Sequence, residues 1–400
     1  MSTSLGATVK EFSEPRERAA VLPMLRVDPL LFLAGVGLIA CSVFVVGNAT
    51  QDDIPGNPHY YLSRQVAYGL VGIVLMLGLS RVDYSRLREW RFGLYGAMIG
   101  LILIVLAFGS TTRGSTRWIP LPFFKLQPSE LGKVLLVVAL SAFMVERMRR
   151  LSEWETTSRI VLLAVVPAML VVIQPDLGSA LVYMAIAAAV LFVAGTKWTH
   201  FVVLGAVATG AVAVALVGAP AAGVQVLKPY QVDRLTAFVH PTDDPRKQGY
   251  QLKQSIVGIG SGQKTGRGPE GATQTKLNFI PEHHTDFIFS VVGEMYGFAG
   301  AALILALYAL LIWRALRILT MAKNLYGALI AGGITAMLMF QVFVNVGMTI
   351  GIMPITGVPL PLMSYGGSSV IVTFMAIGLL QSVHAQARTA SAAKGRDLIA

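Results

Sequence analysis

The chain is short of charge and almost free of cysteine. Charged residues make up 13% of its 400 positions against 54% hydrophobic ones, whereas soluble domains carry about 25% charged residues. With a mean hydropathy of +0.65, a soluble globular domain is excluded and a polytopic membrane protein is indicated. The one cysteine, Cys41, cannot form an intrachain disulfide, which excludes a disulfide scaffold. It lies inside an apolar run and reads as a small core hydrophobe. Residues 1–28 have neither a short apolar core nor a small-residue cleavage site, so no cleaved signal peptide is expected and the first apolar run would serve as a signal anchor. No internal repeat is evident, which weakens a transporter built from inverted repeats.

What is abundant is apolar sequence in long runs. Ten follow one another, at about 30–48, 65–80, 92–109, 130–146, 160–174, 177–195, 200–219, 286–313, 325–346 and 367–386, each of a length suited to about 30 Å of hydrocarbon. The expected fold is therefore an all-α polytopic membrane protein of about ten transmembrane helices. Its parts are a cytoplasmic tail over 1–28, helices one to seven over 29–219 and a long extracytoplasmic loop over 220–285. Helices eight to ten over 286–387 and a cytoplasmic tail over 388–400 complete it. Only Gln174-Pro175-Asp176 separates the fifth run from the sixth, so a tight re-entrant pair would lower the count.

Lysine and arginine outnumber aspartate and glutamate 32 to 21, for a net charge of +11. With the N-terminus inside, the short inner segments hold Arg81, Arg86, Arg88 and Arg91, then Arg147, Arg149, Arg150 and Arg159, then Arg314, Arg317 and Lys323. That is the positive-inside pattern. Topology accounts for much of the basic excess, and no nucleic-acid role is expected. Eight further basic residues fall in the outer loop 220–285, where topology does not ask for them. A structureless loop of that length is uncommon. Its punctuation by Tyr230, Phe238, Tyr250, Ile256, Ile259 and Phe279 predicts short amphipathic helices on the membrane face.

The densest ionisable cluster is Glu282, His283, His284 and Asp286, at the outer lip of the eighth run. Charge at that depth is expensive and marks a functional candidate; the plainer reading is a helix start with Thr285 or Asp286 as N-cap. Upstream, Pro128 and Ser129 fit the start of the fourth helix. Glu130 and Lys133 stand three apart on it, as an ion pair or as substrate contacts. Arg117 has no partner in its own loop and could grip a phosphate or snorkel to the headgroups. Asp176 reads as an N-cap of the sixth helix. The last outer loop, from Met353 to Ser369, carries three prolines before Gly366 and Gly367, whose amides could face an anion. Glycines from Gly258 to Gly268 look like a phosphate loop, but Gln263 stands where glycine is needed before Lys264-Thr265 and no strand precedes them. The segment reads as a flexible turn.

In order along nearly the whole chain, these motifs resemble the SEDS family (shape, elongation, division and sporulation). The set is Arg117-Trp118, Gln127 to Glu130, Gln174 to Gly178, Gly249 to Gln251 with Gln254-Ser255, Pro281 to Phe289 and Ser364 to Ser368. The stretches 273–282 and 346–357 are similar to the elongation branch, the RodA type; the division branch more often has Lys-Gly where this chain has Thr356-Gly357. Gln263 to Thr265 and the extra Ala272 depart from the family pattern and put the local path of the outer loop in doubt. The resemblance implies a ten-helix peptidoglycan glycosyltransferase that polymerises lipid II on the outer face of the bacterial cytoplasmic membrane, both termini inside. A class B penicillin-binding protein would be its transpeptidase partner, membrane lipids its surroundings, and Asp286 its catalytic aspartate.

That chemistry needs one carboxylate. Cleaving an ordinary glycosidic bond takes two, because the leaving alkoxide must be protonated; a lipid pyrophosphate leaves readily and needs cations. Asp286 would act as general base on the acceptor sugar hydroxyl, with Arg117 and Lys133 as pyrophosphate clamps. Glu130, Glu282, His284, Asp176, Gln254 and Ser368 complete the expected substrate-binding set. No metal ligand and no resident cofactor is assigned; a divalent cation shared by Glu282, His284, Asp286 and the pyrophosphate is the alternative. A lipid flippase or transporter is the competing class and a structural scaffold for cell-wall enzymes the third. The outer-face clustering of charge speaks against both.

Overall fold

The computed structural model describes residues 27–112, 115–120, 125–218, 248–280 and 282–397. Most of the N-terminal tail, the loop around Tyr230 and Phe238, and Pro281 lie outside the described residues.

Among the described residues, ten long apolar helices follow one another: α1 (Pro29–Ala49), α2 (Tyr60–Ser80), α3 (Arg91–Phe108), α4 (Pro128–Glu146), α5 (Trp154–Ile173), α6 (Leu177–Val193), α7 (Trp198–Ala213), α8 (Ile288–Met321), α9 (Leu325–Thr349) and α10 (Gly367–Asp397). Nine of these, α7 together with the turn that prolongs it to Leu216, are long and apolar enough to cross a bilayer. The other, α6, has 17 residues, or roughly 25 Å of helix. It forms an antiparallel pair with α5 across the Gln174-Pro175-Asp176 turn. The chain is a multi-pass, mainly helical membrane protein, and α10 carries on past residue 387 to Asp397.

Burial sorts the helices. α4, α9 and α10 are mostly enclosed by the others, whereas α7 is exposed along nearly its whole length. Large apolar side chains such as Phe108, Trp198, Val207 and Phe298 point outward, as side chains facing lipid would. No hydrophobic force drives helices together in lipid, so packing and polar ties must do it. One tie closes the end of the bundle opposite the outer loop. Asp28, fully buried, caps α1 through the Leu31 amide (2.9 Å) and takes both arms of the Arg314 guanidinium on α8. Its main chain exchanges hydrogen bonds with Gln381 on α10, at 2.7 and 3.1 Å. Burial pushes the Asp28 carboxyl up, but Arg314, the Leu31 amide and the nearby His384 outweigh it and hold the group below the usual carboxylate range. One residue thus ties the start of α1 to α8 through its carboxylate and to α10 through its main chain.

At the other end, β1 (Ser110–Thr112), β2 (Ser115–Pro120) and β3 (Lys125–Leu126) make a small antiparallel sheet between α3 and α4. The described part of the long loop contains a helix over Gln248–Gly262 and single turns over Gly268–Gly271 and Thr273–Lys276. Short helices are thus present, and the first is docked on the bundle by one face. Its buried stripe of Gly249, Leu252, Ser255, Gly258 and Gly262 turns onto α8 and α9. The Ser255 hydroxyl meets Ser290 at 2.5 Å and the Thr349 carbonyl at 2.6 Å. Small residues at this spacing let the helices approach closely.

Candidate active site

The glycine-rich segment at the end of that helix is packed closely at two of its glycines. A Cβ on Gly262 would fall 1.8 Å from the Gly293 carbonyl oxygen, and one on Gly266, at φ +84°, 2.2 Å from that of Met295. The chain therefore runs backbone against backbone along α8, which only glycine permits. Its amides are engaged as well. Gly266 N–H donates to the Gly262 carbonyl and Arg267 N–H to that of Glu294, at 2.8 and 2.9 Å. The phosphate-loop look-alike is a docking segment.

Glu294, on α8, completes the docking. Its fully buried carboxylate accepts from the Gln274 and Thr275 amides at 2.8 and 3.0 Å and from the Thr275 hydroxyl at 2.7 Å. Three donors account for this buried charge, and it pins the loop instead of lining a path through the bundle.

Just ahead of α8, residues 282–287 form a tight turn. Thr285 and Phe287 amides both donate to the Glu282 carbonyl, at 3.1 and 3.4 Å, and Glu282 adopts φ +57°. The N-cap of α8 is Phe287, without a side-chain cap. The expectation of Thr285 or Asp286 in that role is corrected, because the Thr285 hydroxyl is turned back onto Glu282, at 3.2 Å from its carbonyl and 3.1 Å from its carboxylate. Asp286 sits half-buried in the turn. Its neighbours along the chain are held from outside. The carbonyl of His284 accepts from Tyr365 N–H (2.9 Å), that of Thr285 from the Ser364 hydroxyl (2.7 Å), and that of Asp286 from the Asn345 amide (2.9 Å). Three consecutive carbonyls are thus fixed by three different side or main chains.

The segment from Ser364 to Ser368 that supplies two of those bonds also reaches the second half of the site. Ser368 hydroxyl accepts from Gln127 N–H at 2.9 Å and donates to the Lys125 carbonyl at 2.8 Å. Gln127 and Ser129 side chains then reach the Asp176 carboxylate at 3.1 and 3.2 Å. Asp176 is also the N-cap of α6, accepting from Ser179 N–H at 3.1 Å. Arg117 finds its partners across the bundle, donating Nε to the Gln174 carbonyl at 3.0 Å and Nη2 to that of Pro175. Two of its five N–H donors are spent on these carbonyls.

The candidates differ in what they offer a substrate. Lys133 is 1% exposed, with Nζ 2.6 Å from the buried Glu130 carboxylate. That pair is closed on itself at the start of α4. Ser368 and Asp176 are equally buried and act as ties between α4, α6 and α10. Gln254 is half-buried on the loop helix beside Ser255. Arg117, Glu282, His284 and Asp286 are the half-buried group with reach toward solvent.

Sequence reasoning missed three neighbours. Asp53, from the α1–α2 loop, places Oδ2 3.3 Å from His283 Nε2 and 3.9 Å from His284 Nδ1. Tyr61 and Tyr365 pack on the His284 ring at centroid distances of 4.7 and 5.7 Å. Burial, with Tyr68 beside it, pushes the Tyr365 hydroxyl far above its ordinary range, so that group stays neutral. The only signal for Asp53 was an acidic pair at the outer end of the first helix.

Residues 27–389 match the family model FTSW_RODA_SPOVE, described as cell cycle protein. The chain is 39% identical over 365 residues to the probable peptidoglycan glycosyltransferase FtsW of Thioalkalivibrio sulfidiphilus, covering 89% of this chain and 87% of that one. Identity is 35% over 362 residues to the peptidoglycan glycosyltransferase MrdB of Escherichia coli, covering 90% and 94%. Among solved structures, it is similar to a chain from a study of how a peptidoglycan synthase complex coordinates polymerization and crosslinking. The TM-score is 0.76 and identity 32%, over 90% of this chain and 98% of that one. The rod shape determining protein RodA of Thermus thermophilus matches with a TM-score of 0.64 at 30% identity, over 90% and 96%.

Proposed function

This chain belongs to the SEDS family of peptidoglycan glycosyltransferases, and we propose that it polymerises lipid II into glycan strands during cell elongation, with Asp286 as general base. The observation that carries the assignment to this site is the triple fixing of the carbonyls of His284, Thr285 and Asp286. A base must be held within a fraction of an ångström of its productive position.

In the proposed reaction the Asp286 carboxylate takes the proton of the acceptor's sugar hydroxyl. The freed oxygen attacks the donor's anomeric carbon in a single displacement, and the lipid pyrophosphate leaves with the bonding pair. One inversion turns an α-linked donor into a β-linked strand. Arg117 is the cation assigned to the pyrophosphate, because its guanidinium is held by main-chain carbonyls, which position it without cancelling its charge. Lys133, closed against Glu130, is assigned to holding the start of α4. The site faces the outside of the membrane, since every element of it stands at the end opposite Arg86, Arg314 and the other basic short loops.

Purified protein with a class B penicillin-binding protein, the partner that the synthase-complex relative suggests, is expected to convert lipid II into glycan polymer. A flippase would instead scramble lipid II in empty liposomes and make no polymer. The satisfied, fully buried Glu294 argues for the enzyme, because a translocation path would need open ionisable groups deeper than Asp286. Arg117→Ala is expected to keep the fold and lose polymerisation, most clearly at low lipid II; an unchanged rate there counts against the clamp.

A division role is the second reading, favoured by the 39% identity to an FtsW. The stretch 346–357, with Thr356-Gly357, favours elongation. Depletion in the source bacterium is expected to round the cells; filaments with unfinished septa would assign the chain to division.

A further inference from the structure

We propose that Asp53, His283 and His284 form a site for one divalent transition-metal ion, of the Zn2+ class, that staples the α1–α2 loop to the turn carrying Asp286. One ligand atom from each of the three lies within 4.8 Å of the other two. Asp53 Oδ2 stands between the imidazoles, 3.3 Å from His283 Nε2 and 3.9 Å from His284 Nδ1. Bond lengths of about 2.0–2.2 Å at a tetrahedral ion put neighbouring ligand atoms roughly 3.3–3.5 Å apart. The two aspartate–histidine separations are close to that already, and rotation of one imidazole closes the third.

The second observation is independent of the clustering. His283 is 4% exposed, and its Nε2 is buried without a hydrogen-bond partner although it faces Asp53. A buried ring nitrogen with its hydrogen-bonding capacity unused is costly. A metal ion between nitrogen and carboxylate removes that cost.

The donor set names the metal class. Two imidazole nitrogens and one carboxylate oxygen suit zinc and its neighbours, whereas Mg2+ and Ca2+ prefer all-oxygen shells. The surroundings give the support that such ligands need. The His284 ring is packed against Tyr61 and Tyr365, and its carbonyl accepts from Tyr365 N–H. Three protein ligands leave a fourth position for water. Because Asp53 is some 230 positions away from the histidines in sequence, the ion would close a long loop directly onto the Asp286 turn.

Metal binding is measured without turnover, so this inference and the polymerase reading fail separately. Full-length protein in detergent, stripped with chelator and desalted, is titrated with Zn2+ and with Co2+, Mg2+ serving as control. One Zn2+ per chain is expected, with a visible Co2+ spectrum of low coordination number and a melting temperature raised by Zn2+ but not by Mg2+. Asp53→Asn and His283→Asn are each expected to weaken Zn2+ binding at least about tenfold, the scale seen when metal-site partners are removed. Failure of the folded wild-type chain to bind Zn2+ overturns the proposal, as does unchanged affinity in both variants. If a variant does not fold, the wild-type stoichiometry, Co2+ spectrum and melting shift decide alone. Asp286→Asn is expected to bind Zn2+ as the wild type does.

Discussion

Asp286→Asn is expected to cut lipid II polymerisation by about 10²–10⁴-fold, the usual worth of a positioned general base, while the protein still purifies as a folded, monodisperse chain. The separation of activity from stability follows from how the turn is held. The bonds from Tyr365, Ser364 and Asn345 end on main-chain carbonyls, and an aspartate-to-asparagine change leaves all three in place. Asparagine also keeps the size of the side chain while removing its negative charge and its basicity. A loss of rate with an unchanged melting temperature is therefore what a base predicts. Glycan chains at the wild-type rate from the folded variant would remove Asp286 from that role. Loss of both rate and fold would point to a bracing function for the carboxylate, and Asp286→Glu would then separate the two: a longer acid keeps the charge but misplaces it.

How far the sequence foretold this site depends on the range of the interaction. Local chemistry was legible. Asp176 caps α6 through an amide three residues on, a pattern that short polar side chains follow wherever a helix begins. The Glu130–Lys133 pair needed only helical spacing. The ten apolar runs matched ten helices because the bilayer dictates their length. Tertiary partners were hidden. Nothing near Arg117 in the chain announced the carbonyls of Gln174 and Pro175, and nothing near Asp53 announced two histidines about 230 positions away. Glycines were ambiguous for a physical reason: the same absence of Cβ serves a phosphate loop and a close backbone crossing, and only the position of Gly293 against Gly262 decides between them. The start of α8 was misread by a residue or two, since Thr285 had two ways to spend its hydroxyl and used the turn.

The second large effect is expected at Lys133, and it is one of stability. Its side chain and that of Glu130 are 1% and 4% exposed, with 2.6 Å between nitrogen and oxygen. Removing one partner of such a pair strands a buried charge, a loss of about 3–5 kcal/mol, whereas replacing both by uncharged groups of similar size is often neutral. Lys133→Met alone should therefore lower the melting temperature sharply. Glu130→Gln combined with Lys133→Met should recover most of it, and a thermal unfolding series on the single and double variants measures the difference. A double variant no more stable than the single one would mean that the two charges do not act as a pair. Polymerisation by the same stable double variant then reads the chemistry. Activity within about tenfold of wild type fits a pair that only seats the start of α4 beside the Ser129–Asp176 ties. A well-folded double variant without activity would mean that the ammonium opens toward substrate during turnover, and the pyrophosphate would have a second cation besides Arg117.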